Sequence, residues 1–165
     1  MMISYDSHIW SSNIVLLELA SALTHLRPGS RMLVIKTLTN SWATSSRLHE
    51  PRVHKCLFRG LFSDDLGHHL VCNTLWDILC SAAKLDRTFL DLTPLQRVCI
   101  VDPNPRKLLL VACAFRAYHA IKLQHLEFAL SAHSPFGDPL PLYELVLDLA
   151  VYHLKELNHQ SIFSL

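Results

Sequence analysis

The residues best suited to chemistry in this 165-residue chain fall in one stretch, HKCLFRGLFSDDLGHHLVC, residues 54–72. Thiolate and imidazole are the usual ligands of structural zinc, which takes about four of them in tetrahedral array. His68 and Cys72 stand four apart, so both face one way where a helix carries them. Cys56 lies a loop's length upstream, and His54 precedes it by two residues. The candidate metal ligands are therefore Cys56, His68, Cys72 and His54, with water, His54 or His69 as the options for the fourth position. His69 points to the wrong side if His68 is used. A hydrolase built from Cys56, His68 and Asp65 would need a nucleophile signature or a glycine-rich oxyanion loop, and neither is present. No catalytic residue is assigned and no enzyme is expected.

The flank of this stretch is basic. Residues 47–59 hold Arg47, Arg52, Lys55 and Arg59 against Glu50 alone, with His49 and His54 among them. Such a cluster suits a phosphate backbone, and it also suits a solvated loop. The last predicted helix is acidic instead, with Asp138, Glu144, Asp148 and Glu156 against Lys155.

Composition bounds the rest. Half of the chain is hydrophobic, 18% is charged, and the mean hydropathy is +0.24. Charge-driven disorder is thereby excluded. Four glycines are too few for phosphate loops or serial tight hairpins. The strongest apolar run, residues 108–115, is far short of the roughly 20 residues a bilayer requires. Residues 1–10 contain Asp6 and His8 and lack a cationic start before an apolar core, so no signal peptide is expected. An intracellular compartment, cytoplasmic or nuclear, follows as the expectation, with no membrane and no small-molecule substrate implied. The five cysteines then read as thiols or metal ligands. Cys80, Cys99 and Cys113 sit among apolar neighbours and read as packing.

Helical periodicity accounts for most of what must position these residues. Residues 11–27 place Leu16, Leu19, Leu23 and Leu26 on one face before a Pro28-Gly29 stop. A second helix is expected from a Ser30 cap to about Ser46, with Ile35, Leu38 and Trp42 inward. The pattern resumes over residues 73–85 with Trp76, Leu79, Cys80 and Ala83 inward, and Thr93-Pro94 opens a short turn of helix. After the breaker DPNP, residues 102–105, the longest helix is expected over residues 105–132. Leu108, Ala112, Phe115, His119, Leu126 and Leu130 share its buried face, with His119 as a hydrogen-bonded core histidine. Asp138 caps a last helix to about Leu157, with Leu142, Leu145, Val146, Leu149 and Tyr152 inward. Trp42 and Trp76 read as core anchors. The fold class is all-α: one domain over residues 1–165, an irregular helical bundle with a small Cys/His insert (residues 47–72) between the second and third helices.

Three segments together resemble a known family. NSWATSSR (residues 40–47), then Cys56, then DLGHHLVC (residues 65–72) are similar to the tail of non-LTR-retrotransposon-type reverse-transcriptase polyproteins. There a helix with an N-x-W-x-T-x-x-R pattern leads into a knuckle of the form C-x-x-G-C…D-x-x-E-H-Y-x-x-C. AYHA (residues 117–120) fits the helical part that follows, and the likeness spans roughly residues 30–125. Gly60 stands where the second cysteine would be, Gly67 replaces the acidic residue, and His69 replaces the tyrosine. The resemblance thus implies a zinc knuckle short of one ligand. Polymerase residues would precede the matched part, so no polymerase activity is implied. What it implies is a non-catalytic nucleic-acid-binding accessory module. The competing expectation is a metal-free helical structural or protein-interaction domain with no nucleic-acid role and an unknown protein partner.

Overall fold

The computed structural model describes residues 13–52, 54–134 and 137–157, and among these every regular element is helical. In chain order they are α1 (Asn13–Thr24), α2 (Pro28–Leu38), α3 (Leu66–Val71), α4 (Asn73–Ala82), a 3-10 turn (Arg87–Asp91), α5 (Pro94–Arg97), α6 (Pro105–Gln124), α7 (Leu126–Ala132) and α8 (Leu140–Leu157). The protein is all-α, with the Cys/His group between α2 and α4. No helix is long and apolar enough to cross a membrane among the described residues.

Polar side chains cap several of these helices where backbone N–H groups lack partners. Asn104 Oδ1 accepts from Arg106 N at 2.8 Å, with Pro105 at the first helical position of α6. Thr93 and Gln96 form a reciprocal capping box around Pro94 at the head of α5. Asp138 Oδ1 accepts from Leu140 N at 2.9 Å before α8. Helix ends are closed by left-handed residues. After α2, Asn40 takes φ 52°, its N–H reaches Thr37 O, and Ser41 N reaches Lys36 O at 2.7 Å, a Schellman motif. Lys84 closes α4 and Cys99 closes α5 in the same way, with φ 52° and 62°.

The Asn40 motif explains one departure from expectation. The second helix stops at Leu38 instead of running on to Ser46, and it begins at Pro28 without a side-chain cap, so Ser30 lies within it. Trp42, Thr44 and Arg47 therefore lie on an irregular segment after α2, where Trp42 is still fully buried. Ile35, expected inward, is exposed, as is Leu16 on α1. The longest helix also ends early: His125, at φ −132° and ψ 21°, breaks the helical path between α6 and α7.

α6 is the hub. It packs against α1, α2, α4, α7 and α8, and residues 108–115 are buried without interruption. A helix enclosed on all sides shows no single apolar stripe. α4 and α8 close the core against it with Leu75, Trp76, Leu79, Leu142, Val146 and Ala150. Leu145 and Leu149 are only half-buried, and Tyr152 is exposed, its hydroxyl bonded to Glu156 Oε1 at 2.9 Å. The α8 stripe is thus rotated from the one expected, toward positions 142, 146, 150, 154 and 157.

Candidate metal centre

Cys56 sits on the first arm of a small hairpin. Lys55 and Ser63 form an isolated antiparallel bridge, Asp64 N donates to His54 O at 2.9 Å, and Cys56 N donates to Phe62 O. The turn between the arms closes with Gly60 N on Cys56 O at 2.8 Å and Gly60 at φ +70°, a conformation that suits glycine. With alternation along the arm, Lys55 faces solvent and the Cys56 thiol is fully buried. His68 rides on α3, whose start is fixed by Asp65 Oδ1 accepting from His68 N at 2.7 Å. Cys72 occupies the junction between α3 and α4, serving as the boundary residue of both.

These three elements bring Cys56, His68 and Cys72 together, with one ligand atom from each lying within 4.8 Å of the others. The two sulfurs are 3.7 Å apart. Two zinc–sulfur bonds of about 2.3 Å at a tetrahedral angle place their sulfurs about 3.8 Å apart, so the thiol pair is already at metal-chelating separation. His68 Nε2 is buried with no hydrogen-bond partner. A buried imidazole nitrogen left unsatisfied is costly unless something binds it. The donor set therefore fits a thiophilic divalent cation. The thiols are not equivalent: hydrogen bonding to Cys72 and burial push Cys56 up to about 12, and the bond from Cys56 brings Cys72 down to about 7. One proton shared across the pair leaves Cys72 the readier thiolate.

Next to this cluster lies a buried network centred on Asp64. Its carboxylate is fully buried and accepts from Ser45 N (2.8 Å), Ser45 Oγ (2.9 Å) and His69 Nε2 (2.8 Å). The Tyr118 hydroxyl lies 3.0 Å from each of its oxygens, and Lys122 Nζ lies 3.3 Å from Oδ2. Burial would raise the Asp64 pKa, but the hydrogen bonds from His69 and Ser45 hold it well below the usual carboxylate range. Burial likewise works against the His69 cation, while its bond to Asp64 raises it above the ordinary value. Tyr118 is pushed up by burial and by the Asp64 charge, so it stays a donor. His69 is thus fully buried, held by Asp64 and lying against Cys56, and it is not one of the three residues whose ligand atoms converge.

Of the four residues singled out as ligands, His54 is not among those that converge. It pairs with Glu50 Oε2 at 3.4 Å, an acid also held by Lys122 Nζ at 3.1 Å. Asp65 is a helix cap, its Oδ1 accepting from His68 N. Cys80, Cys99 and Cys113 are buried packing residues. His119 is half-buried, bonded through Nδ1 to Phe115 O (2.7 Å) and through Nε2 to Ala43 N (3.2 Å). Arg47, Arg52, Lys55 and Arg59 are all exposed, and none pairs with a carboxylate among the described residues. The network of Ser45, Asp64, His69, Tyr118 and Lys122 was not foreseen; a lysine inside an otherwise apolar stretch of α6 was its one signal in the sequence. Comparison with protein-family models, characterised proteins and solved structures finds no match.

Proposed function

We propose that this chain is a non-catalytic nucleic-acid-binding module, similar in kind to a retrotransposon polyprotein tail, built around a weakened three-ligand zinc site. The observation that carries the reading is the convergence of Cys56, His68 and Cys72 from three separate elements, in a stretch with four exposed cations that pair with no carboxylate among the described residues. Cys72 and Cys56 would hold zinc through their thiolates and His68 through a ring nitrogen, and the bound ion would tie the hairpin to the α3–α4 junction. Arg47, Arg52, Lys55 and Arg59, all exposed, would hold nucleic-acid phosphates.

Metal analysis of the purified chain together with a salt titration of oligonucleotide binding tests this. The expected result is up to one zinc per chain, lost in Cys72→Ser. Four phosphate contacts should give log–log salt slopes of about −3 on single strands. Absence of both metal and salt-dependent binding would overturn the reading. A groove of about 680 Å³ between α2, α3 and α5, walled by Leu38, Leu66, Leu70, Leu95, Val98 and Ile100, favours the second reading in that event, a metal-free interaction domain.

A further inference from the structure

Phe62 is out of place for a residue held by packing alone. It lies on the second hairpin arm, one residue before the Lys55–Ser63 bridge, and is half exposed (51%), with Leu61 beside it more exposed still (64%). Apolar side chains scattered singly on a surface are ordinary. Phe62 is not single, because its position is defined from two sides. Its ring stacks on His68 at 4.7 Å and 28°, which fixes its orientation to the candidate metal site. The Arg59 guanidinium lies 5.9 Å from the ring centroid. The bridge pairs Lys55 with Ser63, so Phe62 lies across from Cys56 on the metal-site side of the hairpin, with Arg59 as the cation at its ring. An oriented, half-exposed ring beside a cation that pairs with no carboxylate among the described residues is an arrangement that holds an unpaired base while a phosphate is neutralised. A duplex keeps its base faces stacked inside and can use only the cations.

We infer that Phe62, with Arg59 over its ring, is a stacking platform for an unpaired nucleobase, so that the module takes single-stranded nucleic acid in preference to duplex. The inference rests on the nucleic-acid reading above and adds its substrate class. Trp42 and Trp76 are fully buried and cannot serve. His68 joins the two functions, as it offers its ring to Phe62 and its nitrogen to the metal.

The test uses the full chain with zinc supplied, and fluorescein-labelled single strands (one RNA, one DNA) and the corresponding DNA duplex as probes. Binding is read by anisotropy at several salt concentrations, with zinc content measured for each variant. Wild type should bind both single strands more tightly than duplex. Phe62→Leu should weaken single-strand binding about tenfold, within the range for one stacked base, while duplex affinity and zinc content hold. Phe62→Trp should restore the single-strand preference. Suppose Phe62→Leu binds single strands like wild type while Arg52→Glu with Lys55→Glu weakens every probe. The platform would then be overturned and the nucleic-acid reading would stand. Loss of zinc together with single-strand affinity in Phe62→Leu, unrescued by tryptophan, would make Phe62 a packing residue for His68 and also overturn it. No salt-dependent binding of any probe by wild type would overturn both readings, leaving Phe62 and Leu61 as a protein contact.

Discussion

At the scale of single residues, the Cys/His cluster and the charged network beside it differ in how they can be read. Cys56, His68 and Cys72 were visible because zinc ligands come in few residue types and the last two share a helical spacing. Asp64 was not, because its partners Ser45, Tyr118 and Lys122 lie 19, 54 and 58 residues away and are assembled only by the fold. Asp64→Asn should remove the buried carboxylate that holds His69 and Tyr118 and leave Lys122 with Glu50 alone, at a cost of about 3–5 kcal/mol. The pH dependence has two limits. Asp64 has a lowered pKa, so its contribution is present above the ordinary carboxylate value of about 3.9 and is lost as pH falls through its lowered value. His69 has a raised pKa, so its contribution is complete below about 6.5 and is lost as pH rises through its raised value. Urea unfolding with chelator present should therefore show a stability plateau between roughly pH 4 and 6.5 that Asp64→Asn flattens. A variant with the wild-type profile would remove the network from any account of stability. Gly60 makes a sharper case. A cysteine there would not supply a fourth ligand without rearrangement, because a Cβ at Gly60 would meet His133 Cγ at 2.7 Å, and φ is +70°. Gly60→Cys should lower the unfolding midpoint and leave zinc affinity no tighter; a tighter site would show that the turn can rearrange around a fourth ligand.

At the scale of elements, helix starts were easier to locate than helix ends. Thr93-Pro94, Asn104-Pro105 and Asp138 announce themselves because capping chemistry is carried by few residue types. The ends were hidden because helices here close on Asn40, Lys84 and Cys99 in left-handed conformation, in a chain with four glycines. Only the asparagine carries a recognised tendency to adopt it, and it lay inside a stretch that otherwise kept helical period. A left-handed residue with a Cβ costs roughly 1–2 kcal/mol. Lys84 is exposed, so Lys84→Gly removes that strain and loses little packing. It should raise stability by about 1 kcal/mol, measured as a higher urea midpoint at constant slope; a lower midpoint would mean the lysine side chain contributes more than its backbone costs. Phe115 tests the hub helix. Buried against Trp42 at 5.9 Å and stacked on His119 at 4.0 Å, it ties α6 to the segment after α2. Phe115→Ala should cost about 3–5 kcal/mol, and an unmoved midpoint would contradict the burial of α6.

At the scale of the whole molecule, the question is whether metal holds the fold or only the insert. In small zinc domains the ion is the core, and chelation unfolds them. Here the main core is formed by α4, α6 and α8 and needs no ligand from Cys56 or His68. The insert is joined to that core independently of any ion, through Asp64 to Tyr118 and Lys122 on α6 and through Trp76 Nε1 to His69 O at 3.0 Å. Zinc should accordingly stabilise by simple mass action, about 2.7 kcal/mol at a free concentration one hundred times its dissociation constant. Removing it should lower the melting temperature by several degrees while the helical circular dichroism at 25 °C stays nearly unchanged. Acid should release the ion well before the helices melt, because Cys56, Cys72 and His68 must all shed protons to bind it. The measurement is thermal melting with and without chelator, paired with zinc release followed by a chromogenic indicator as pH is lowered. Collapse of the helical signal on chelation at neutral pH would place the ion in the core and make the Asp64 network secondary to it.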